Sequence, residues 1–313
     1  MRVPFTAPAA WPERRAGSLA LENVQFEPEG AELALIGLAD DTGVRLNKGR
    51  PGASAGPTAF RAALARFGAP WDGRAGKAIT PRVFDAGDLI PAESGSAEAL
   101  AETHRRALEC VRALHALGLS VVAVGGGHDL TLPAVTALAL HEGRALGGVN
   151  VDAHLDVRPR IGSGMPFRRL IEAGHLIGER FVEVGLGRFV NDRSDTEWAL
   201  AQGAHLLYSD ELSERQALVP SVFDAAFEAG PGFVSIDLDA IDQALAPGVS
   251  APNPLGLDVS TVARFAEAAG RDPDVRHFDL MELCPAHDEG GRTARVAARL
   301  FLSFIAGFGE RPR

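Results

Sequence analysis

The sequence predicts an α/β fold built on a parallel β-sheet. Short apolar runs of strand length recur along the 313-residue chain, and helical patterns lie between most of them. The runs are nearly continuous in apolar residues rather than alternating, which is typical of strands that are buried on both faces. Strands that alternate with helices are joined in parallel, and the helices cover both faces of the sheet. These observations predict about eight strands.

The predicted elements follow an irregular N-terminal extension, residues 1–30. Two helices carry clear end signals: Pro57 lies in the first turn of a helix at 57–68, and Gly118 closes an amphipathic helix at 98–118. The apolar, largely β-branched runs predict strands at 32–40, 120–127, 146–156, 180–187, 205–210, 232–239 and 275–283. Periodic apolar residues predict further helices at 132–143 and 292–308. No linker or repeat divides the chain, so we expect a single domain, 1–313.

The composition indicates a folded protein with an acidic surface. Hydrophobic residues make up 46% of the chain and charged residues 23%, which excludes a disordered protein. A net charge of -10 without a basic stripe argues against a nucleic-acid partner. No apolar run reaches the roughly 18 residues that span a bilayer, and the N-terminus lacks the apolar segment of a secretory signal. We therefore expect a cytoplasmic protein without a membrane partner.

Three predicted strand ends are rich in side chains that bind metals. They contain the runs GGGHD (125–129), DAHLD (152–156) and DLD (237–239). Residues two apart in an extended segment point to the same side, so the side chains of each run can face one point. A single Asp of this kind caps a helix as readily as it binds a metal. Three such runs at the carboxyl ends of parallel strands predict a shared site.

The residue types of this site predict a pair of divalent cations. Two imidazoles and four carboxylates would be costly to bury together without a compensating charge. Carboxylate oxygens combined with imidazole suit Mn²⁺ better than Zn²⁺, Fe²⁺ or Co²⁺, and the absence of thiolates argues against a structural zinc site. Two such ions about 3.5–4 Å apart would share a hydroxide that is nucleophilic at neutral pH.

The motifs resemble the signature blocks of a known family. GGGHD, NVDAHLD and SIDLDAIDQALAPGVSAP are similar to the three blocks of the ureohydrolase superfamily, which includes arginases, agmatinases, formimidoylglutamases and guanidino-acid hydrolases. The resemblance runs from about residue 35 to 308 and includes DDTGVRLNKGRPGASAGPTAFR at 40–61. It implies an arginase-like fold of three layers, α/β/α, around a largely parallel eight-stranded sheet. It also implies two Mn²⁺ per subunit and a homo-oligomer, a trimer or hexamer.

The resemblance also assigns the residues of the site. One metal is then bound by His128, Asp152, Asp156 and Asp237, and the other by Asp152, His154, Asp237 and Asp239, with Asp152 and Asp237 bridging. Glu282, in FDLMELCP, matches the glutamate that binds the amidine-type nitrogens of substrate. A carboxylate at a strand end can accept two parallel N–H bonds from a planar amidinium.

The loop after the middle metal run bears on the substrate. VRPRIGSGMPFRR, at 157–169, contains Arg158, Arg160, Arg168 and Arg169 in an otherwise acidic protein. Arginine is the side chain that would meet a substrate with two carboxylates. DAHLDVRP and SGMPFR resemble the formimidoylglutamases, and we expect Arg158 and Arg168 to contact substrate. Asn191, which follows VGLGRF, is a further candidate for a substrate contact, with the capping of a loop as its alternative role.

These inferences predict an enzyme that hydrolyses N-formimidoyl-L-glutamate to L-glutamate and formamide, a reaction of histidine degradation. Glu282 would hold the amidinium, and Asp156 would pass a proton to the leaving amine. A ureohydrolase that releases urea from a guanidino substrate is the main alternative, and Gln243 and Met165, where the family commonly has Pro and Thr, leave fine specificity open. A mononuclear zinc deacetylase is disfavoured by His128. A metal-binding homologue without activity is disfavoured by the complete ligand set.

Overall fold

The computed structural model describes residues 3–12, 22–68, 71–73, 76–79, 81–93, 95–212 and 218–311. The predicted irregular extension lies outside the described residues at positions 1–2 and 13–21. Its described part contributes two short strands, β1 (Thr6–Ala7) and β2 (Val24–Gln25). Both pair with a later strand at Val83–Leu89, so the extension lies along the sheet.

Eight parallel strands form the main sheet within the described residues. In chain order they are β3 (Leu33–Leu38), β6 (Val83–Leu89), β7 (Ser120–Gly125), β8 (Leu146–Val151), β9 (Leu176–Leu186), β10 (His205–Tyr208), β11 (Gly232–Asp237) and β12 (Val275–Met281). Their order across the sheet is β6-β3-β7-β12-β11-β8-β9-β10, and every pair of neighbours in this order is parallel. A separate two-stranded sheet joins β4 (Trp71–Asp72) and β5 (Lys77–Ala78). The predicted parallel sheet is confirmed.

Helices connect the strands and end on recognisable signals. They are α1 (Thr42–Leu46), α2 (Gly56–Leu64), α3 (Ala97–Ala116), α4 (Thr131–Glu142), α5 (Pro166–Glu172), α6 (Arg193–Ala201), α7 (Ser209–Leu212), α8 (Leu218–Phe227), α9 (Val259–Arg271) and α10 (Arg292–Phe308). The hydroxyl of Ser96 caps α3 by accepting from the N–H of Ala99, and Gly143 ends α4 with a φ of 64°. Among the described residues, no helix is both long and apolar enough to cross a membrane.

The hydrophobic core lies on both faces of the sheet. On β7, Val122 points to the face where Phe60 of α2 packs, and Val121 points to the opposite face, where Val111 of α3 packs. Helices α2, α8, α9 and α10 supply the first side of the core, and α3, α4 and α5 supply the second. This arrangement is the three-layer α/β/α architecture that the sequence predicts.

The strand β6 is not among the runs that we identify in the sequence. Its apolar pattern is interrupted by Asp85, Gly87 and Asp88. In the fold, the guanidinium of Arg61, only 1% exposed, pairs with Asp85 at 2.9 Å and with Asp88 at 2.6 Å. A buried ion pair therefore replaces the apolar contacts that make the other strands recognisable.

Candidate metal centre

The predicted ligands follow strands that are neighbours in the middle of the sheet. His128 follows β7, Asp152 and its neighbours follow β8, Asp237 is the last residue of β11, and Glu282 follows β12. The order β7-β12-β11-β8 places these carboxyl ends side by side. The site thus lies in the loops beyond the carboxyl ends of parallel strands, where α/β sheets bind their ligands.

Tight turns, rather than extended chain, bring the ligands of each run together. The carboxylate of Asp152 accepts a 2.7 Å hydrogen bond from the backbone N–H of His154, and that of Asp237 accepts a 2.8 Å bond from the N–H of Asp239. Strand β8 ends at Val151, and residues 238–240 form a 3₁₀ turn. The prediction that these side chains converge because the segments are extended is therefore wrong. Instead, each aspartate carboxylate accepts a hydrogen bond from the backbone two residues later, which turns the chain back toward the aspartate.

The structure brings four predicted ligands together in a first cage, His128, Asp152, Asp156 and Asp237. Nδ1 of His128 lies 3.0 Å from Asp156 Oδ2 and 3.2 Å from Oδ2 of both Asp152 and Asp237. The four ligand atoms all lie within 4.8 Å of one another. One cation at their centre could contact all four.

A second cage, Asp152, His154 and Asp239, adjoins the first. Nδ1 of His154 lies 3.2 Å from Asp239 Oδ2 and 3.4 Å from Asp152 Oδ1. Asp152 therefore offers one carboxylate oxygen to each cage. Asp237 has Oδ2 in the first cage, while its Oδ1 accepts the N–H of Asp239, so its bridging role stays a prediction.

The hydrogen bonds of His128 show that its Nδ1 is the atom available to a cation. The hydroxyl of Ser235 donates to Asp279 and therefore accepts from Nε2 of His128, at 2.8 Å. Nε2 thus carries a hydrogen, and Nδ1 is left among three carboxylates without a well-formed hydrogen bond. Oδ1 of Asp239 is likewise buried and without a partner. Buried ligand atoms of this kind fit a pair of metal ions.

Burial of the aspartates and the proximity of several carboxylates favour bound protons in the cages unless a cation compensates the charge. Burial lowers the pKa of His128, but its three carboxylate neighbours outweigh that effect and hold the pKa well above its usual value. Burial raises the pKa of Asp237 well above its usual value, and the charges of Asp239 and Asp152 raise it further. Burial, with a contribution from Asp152, raises the pKa of Asp239 to about 6. Divalent cations would remove the need for these protons.

Glu282 lies against the first cage on a strained backbone. Its Oε1 accepts a 2.9 Å hydrogen bond from the backbone N–H of His128, while its Oε2 is buried and makes no well-formed hydrogen bond within the described residues. Burial raises the pKa of Glu282 to about 8. Its φ is 66°, and that of Asp156 is 47°, both in the left-handed region that non-glycine residues rarely adopt. Strain of this kind is typical of functional residues.

Arg158 lies beside the metal ligand Asp156. A Cβ added to Gly164 would lie 3.2 Å from Asp156 Oδ1, 3.1 Å from Arg158 Cδ and 3.4 Å from Arg158 Nε, so the two side chains border one small gap. Nη1 of Arg158 donates a 3.1 Å hydrogen bond to Oδ1 of Asn47. Among the residues that the structure describes, no carboxylate oxygen lies within 4.0 Å of its guanidinium nitrogens. A partly buried cation that forms no ion pair with the described residues therefore flanks the cages, and its charge interacts with that of Asp195.

The other two predicted substrate contacts are engaged elsewhere in the fold. Arg168 donates a 2.8 Å hydrogen bond to Glu172, and its guanidinium carbon lies 4.5 Å from the ring centre of Trp198. Asn191 accepts from the N–H of Leu155 at 2.9 Å and donates to the carbonyl of Ala153 at 3.0 Å. Asn191 therefore fixes the loop that carries His154, and the substrate roles of Asn191 and Arg168 stay predictions.

The residues that orient His128 and Arg158 through hydrogen bonds are not among those identified in the sequence. Ser235 and Asp279 lie inside β11 and β12 and hold His128, and Asn47 holds Arg158 from the end of α1. A serine or aspartate inside an apolar strand was the available signal for the first two. Nothing in the spacing of Asn47 connects it with a loop more than a hundred residues later.

Comparison with known proteins identifies close relatives along most of the chain. A family model described as the arginase family matches residues 31–307. The formimidoylglutamase of Geobacillus thermodenitrificans is 32% identical over 288 residues, which cover 88% of this chain and 84% of that protein. The formimidoylglutamase of Nocardia farcinica is 35% identical over 279 residues, covering 86% and 84%.

A solved structure agrees with these relatives. The crystal structure of Trypanosoma cruzi formiminoglutamase with Mn²⁺ superimposes with a TM-score of 0.85 at 32% sequence identity. The match covers 91% of this chain and 96% of that one. The residues that the family model matches include the eight parallel strands and the loops that carry the cages.

Proposed function

Because the chain belongs to the arginase family, we propose that it is a binuclear manganese hydrolase that converts N-formimidoyl-L-glutamate and water to L-glutamate and formamide. The reaction breaks the C–N bond between the formimidoyl carbon and the amino group of glutamate. The family alone does not choose the substrate, because its members act on different amidines and guanidines. The choice rests on the charges around the two cages.

The two cages fit a pair of manganese ions in number and type of ligand. The first would hold one ion through His128, Asp152, Asp156 and Asp237, and the second would hold the other through Asp152, His154 and Asp239. When bound, the ions supply an activated water molecule as nucleophile and offset the charge of the aspartates. The protein's own side chains bind and orient the substrate.

Glu282 binds the amidinium end of the substrate. Its buried Oε2 makes no well-formed hydrogen bond within the described part of the chain, although the hydroxyl of Ser250 is close enough to oppose the rise in pKa that burial causes. Oε1 is fixed by the N–H of His128, so the carboxylate keeps one orientation toward the cages. An amidinium that donates to Oε2 replaces the proton that burial favours on this carboxyl group. Its planar carbon is then held beside the ligand set.

Asp156 takes up and returns the proton of the reaction. Its Oδ2 faces Nδ1 of His128 in the first cage, whereas Oδ1 borders the gap at Gly164. Oδ1 is therefore the oxygen that faces the substrate side. We assign to Oδ1 the transfer of a proton to the nitrogen of glutamate as the C–N bond breaks, which makes the amine a better leaving group.

Arg158 is the residue that favours an acidic substrate. Its guanidinium lies next to Asp156 and has no carboxylate partner within 4.0 Å among the described residues. A partly buried guanidinium favours a ligand that brings its own negative charge. Formimidoylglutamate has two carboxylates, and agmatine has none. The unpaired charge of Arg158 is the observation on which the proposed substrate rests.

The test is a comparison of substrates on manganese-loaded protein. Formimidoylglutamate, arginine, agmatine and guanidinobutyrate are offered separately, and formamide and urea are both measured. We expect formamide from formimidoylglutamate at a kcat/KM at least about a hundredfold above that for any guanidino substrate. Faster urea release from a guanidino substrate would refute the proposed reaction and identify a different ureohydrolase.

The domain organisation, localisation and oligomeric state are proposals as well. We propose that the chain is a single domain, because one sheet receives strands from both the first described segment and the last quarter of the chain. We also propose a cytoplasmic homo-oligomer, a trimer or hexamer, that has no nucleic-acid or membrane partner. Light scattering of the purified protein would measure the number of subunits.

A further inference from the structure

We propose that Asn47 is a positioning residue that sets the preference for acidic substrates by holding the guanidinium of Arg158 in one orientation. This inference rests on the proposed function, since it explains how that site recognises a carboxylate. Asn47 lies at the end of α1, in a part of the chain that contributes no metal ligand. Its role depends entirely on contacts with the loop after β8.

Asn47 is fixed on both its backbone and its side chain. Its backbone N–H donates to the carbonyl of Gly43 at 3.0 Å and so closes α1. Its Nδ2 donates a 3.3 Å hydrogen bond to the hydroxyl of Ser163. The N–H of Ser163 donates to the same carbonyl of Gly43 at 3.0 Å, so the loop is tied to α1 at two points. These bonds leave Oδ1 of Asn47 directed at Arg158.

The hydrogen bond that Arg158 donates to Asn47 determines which edge of the guanidinium is free. Nη1 of Arg158 donates to Oδ1 of Asn47 at 3.1 Å. Within the described residues, Nε and Nη2 have no hydrogen-bond acceptor. Nε and Nη2 form the edge that binds a carboxylate through two parallel hydrogen bonds. Asn47 therefore binds Nη1 of the guanidinium and leaves the edge formed by Nε and Nη2 open.

The open edge borders the gap beside Asp156. A Cβ at position 164 would lie 3.4 Å from Nε of Arg158 and 3.2 Å from Oδ1 of Asp156. Gly164 therefore leaves free the space between the guanidinium and the metal ligand. The backbone of the loop is held as well, since the N–H of Arg158 donates to the carbonyl of Gly164 at 2.8 Å. A substrate carboxylate that binds Nε and Nη2 would therefore lie on the side of Arg158 that is nearest the metal ligand Asp156.

The neutrality of Asn47 is essential to this role. An amide oxygen orients the guanidinium and leaves its positive charge for the substrate. An aspartate at the same position would orient Arg158 equally well, but would also neutralise it and repel a second carboxylate. The exchange of asparagine for aspartate therefore separates the orientation of Arg158 from its charge.

The experiment compares Asn47→Ala and Asn47→Asp with wild type on two substrates. One is formimidoylglutamate, and the other is N-methylformamidine, an amidine without carboxylates. We expect the KM for formimidoylglutamate to rise about tenfold in Asn47→Ala and about a hundredfold in Asn47→Asp, with much smaller changes in kcat. For N-methylformamidine, kcat/KM should stay within about twofold of wild type, or rise in Asn47→Asp.

Two measurements separate this role from a general loss of structure. Manganese content and melting temperature should be unchanged in both variants. Asn23→Ala is the matched control, because Asn23 also uses its side chain to bind a loop, donating to the carbonyl of Ile79 at 2.6 Å. Asn23 precedes β2 and lies beside the first residue of β6. It is therefore near the amino ends of the parallel strands, whereas the cages lie beyond their carboxyl ends. Its KM should equal that of wild type.

The outcomes distinguish the inference from the proposed function. An unchanged KM in Asn47→Asp, or an equal loss on both substrates, would overturn the role of Asn47 while leaving the proposed function intact. If wild type instead cleaved guanidinobutyrate and not formimidoylglutamate, the proposed function would be wrong. The same variants tested on guanidinobutyrate against agmatine, which lacks the carboxylate, would then decide the role of Asn47.

Discussion

Glu183 of β9 lies opposite Asn150 of β8, and its Oε2 accepts a 2.9 Å hydrogen bond from the side-chain amide of Asn150. The same amide lies 3.3 Å from Oδ2 of Asp152, the aspartate shared by the two cages. Glu183 is completely buried, and its Oε1 has no hydrogen-bond partner among the residues that the structure describes. Burial, with a contribution from the charge of Asp152, raises the pKa of Glu183 well above its usual value. In the metal-free protein, burial therefore favours the protonated form of Glu183 beneath the site.

Glu183→Gln should stabilise the metal-free protein at neutral pH. Below the pKa of an unfolded glutamate, about 4.3, both states of the wild type carry the proton. Above it the unfolded state loses that proton while the folded state keeps it, so folding stability falls by at most about 1.4 kcal/mol per pH unit. Glutamine keeps the shape and removes this dependence. Thermal unfolding of chelated protein at several pH values measures the difference.

Glu179→Gln is the control for this prediction, because Glu179 is exposed on the same strand, β9. The advantage of Glu183→Gln over wild type should grow as the pH rises from about 4.3, and Glu179→Gln should show no such trend. A Glu183→Gln protein that becomes less stable than wild type with rising pH would mean that Glu183 is ionised in the fold.

Asp239→Asn should remove one of the two metals. Asp239 Oδ2 lies 3.2 Å from Nδ1 of His154, and Asp239 contributes to the second cage only. Because loss of an outer hydrogen-bond partner already lowers metal affinity or activity by about ten- to a hundredfold, loss of a direct ligand should lower activity by at least about a hundredfold. Elemental analysis should give one manganese per subunit instead of two. Asp242→Asn, in the same loop but outside both cages, should keep two.

The sequence predicts the centre of this fold better than its edges. The runs that form β7, β8 and β11 are mostly apolar because both faces of the middle of the sheet are buried, and β12, although it contains Arg276, His277 and Asp279, begins and ends on apolar residues. These four strands carry the cages, so the ligand types could be assigned to strand ends. At the edge, β6 pairs its aspartates with Arg61, a long-range contact that leaves no periodic trace.

The limits of sequence reasoning at the site have the same origin. The ligands of each run are neighbours in the chain, so spacing reveals them, although turns at Asp152 and Asp237, rather than extended chain, are what bring them together. Asn47 contacts Arg158 and Ser163 only because α1 packs on the loop after β8. A contact between distant segments depends on tertiary packing, which a single sequence does not encode as a pattern.

Manganese should stabilise the protein more at alkaline than at acidic pH. Burial raises the pKa of Asp239 to about 6 and that of Glu282 to about 8, and their unfolded values lie near 4. Without metal the fold thus loses stability as the pH rises from about 4 to about 8, because these carboxyls ionise more easily when unfolded. Asp152 acts in the opposite direction, since its two histidine partners outweigh burial and lower its pKa.

The measurement is the melting temperature with manganese and with chelator at about pH 6 and about pH 8.5. Bound cations replace the protons of the cages, so the gain from manganese should be larger at the higher pH. The pH-dependent gain should shrink in Asp239→Asn, which has lost a titrating ligand. An equal gain at both values would show that no proton leaves the site when manganese binds.

Glu282→Gln should impair catalysis and leave both metals in place. Glutamine keeps an oxygen that accepts the N–H of His128, but replaces Oε2 with an amide nitrogen, which cannot accept a hydrogen bond from an amidinium. Loss of a hydrogen bond to a charged group predicts a decrease in kcat/KM of about ten- to a hundredfold. Glu289→Gln, an exposed position soon afterwards in the chain, should match wild type. Loss of manganese from Glu282→Gln would instead assign Glu282 to the metal site.

Arg158→Ala should weaken the binding of acidic substrates specifically. Its guanidinium has no carboxylate partner within 4.0 Å among the described residues, so its removal breaks no ion pair. The buried Asp195, whose pKa burial raises, loses one of the three arginine charges that counteract this shift, and the fold should lose little stability. The KM for formimidoylglutamate should rise about ten- to a hundredfold, while cleavage of N-methylformamidine is unchanged. Arg160→Ala, which changes an exposed residue of the same loop, should leave the KM for formimidoylglutamate unchanged.

An effect of Arg168→Ala on this KM as large as that of Arg158→Ala would show that Arg168 also contacts substrate, despite its hydrogen bond to Glu172. If Arg158→Ala left the KM unchanged, the preference for an acidic substrate would have to come from another part of the site.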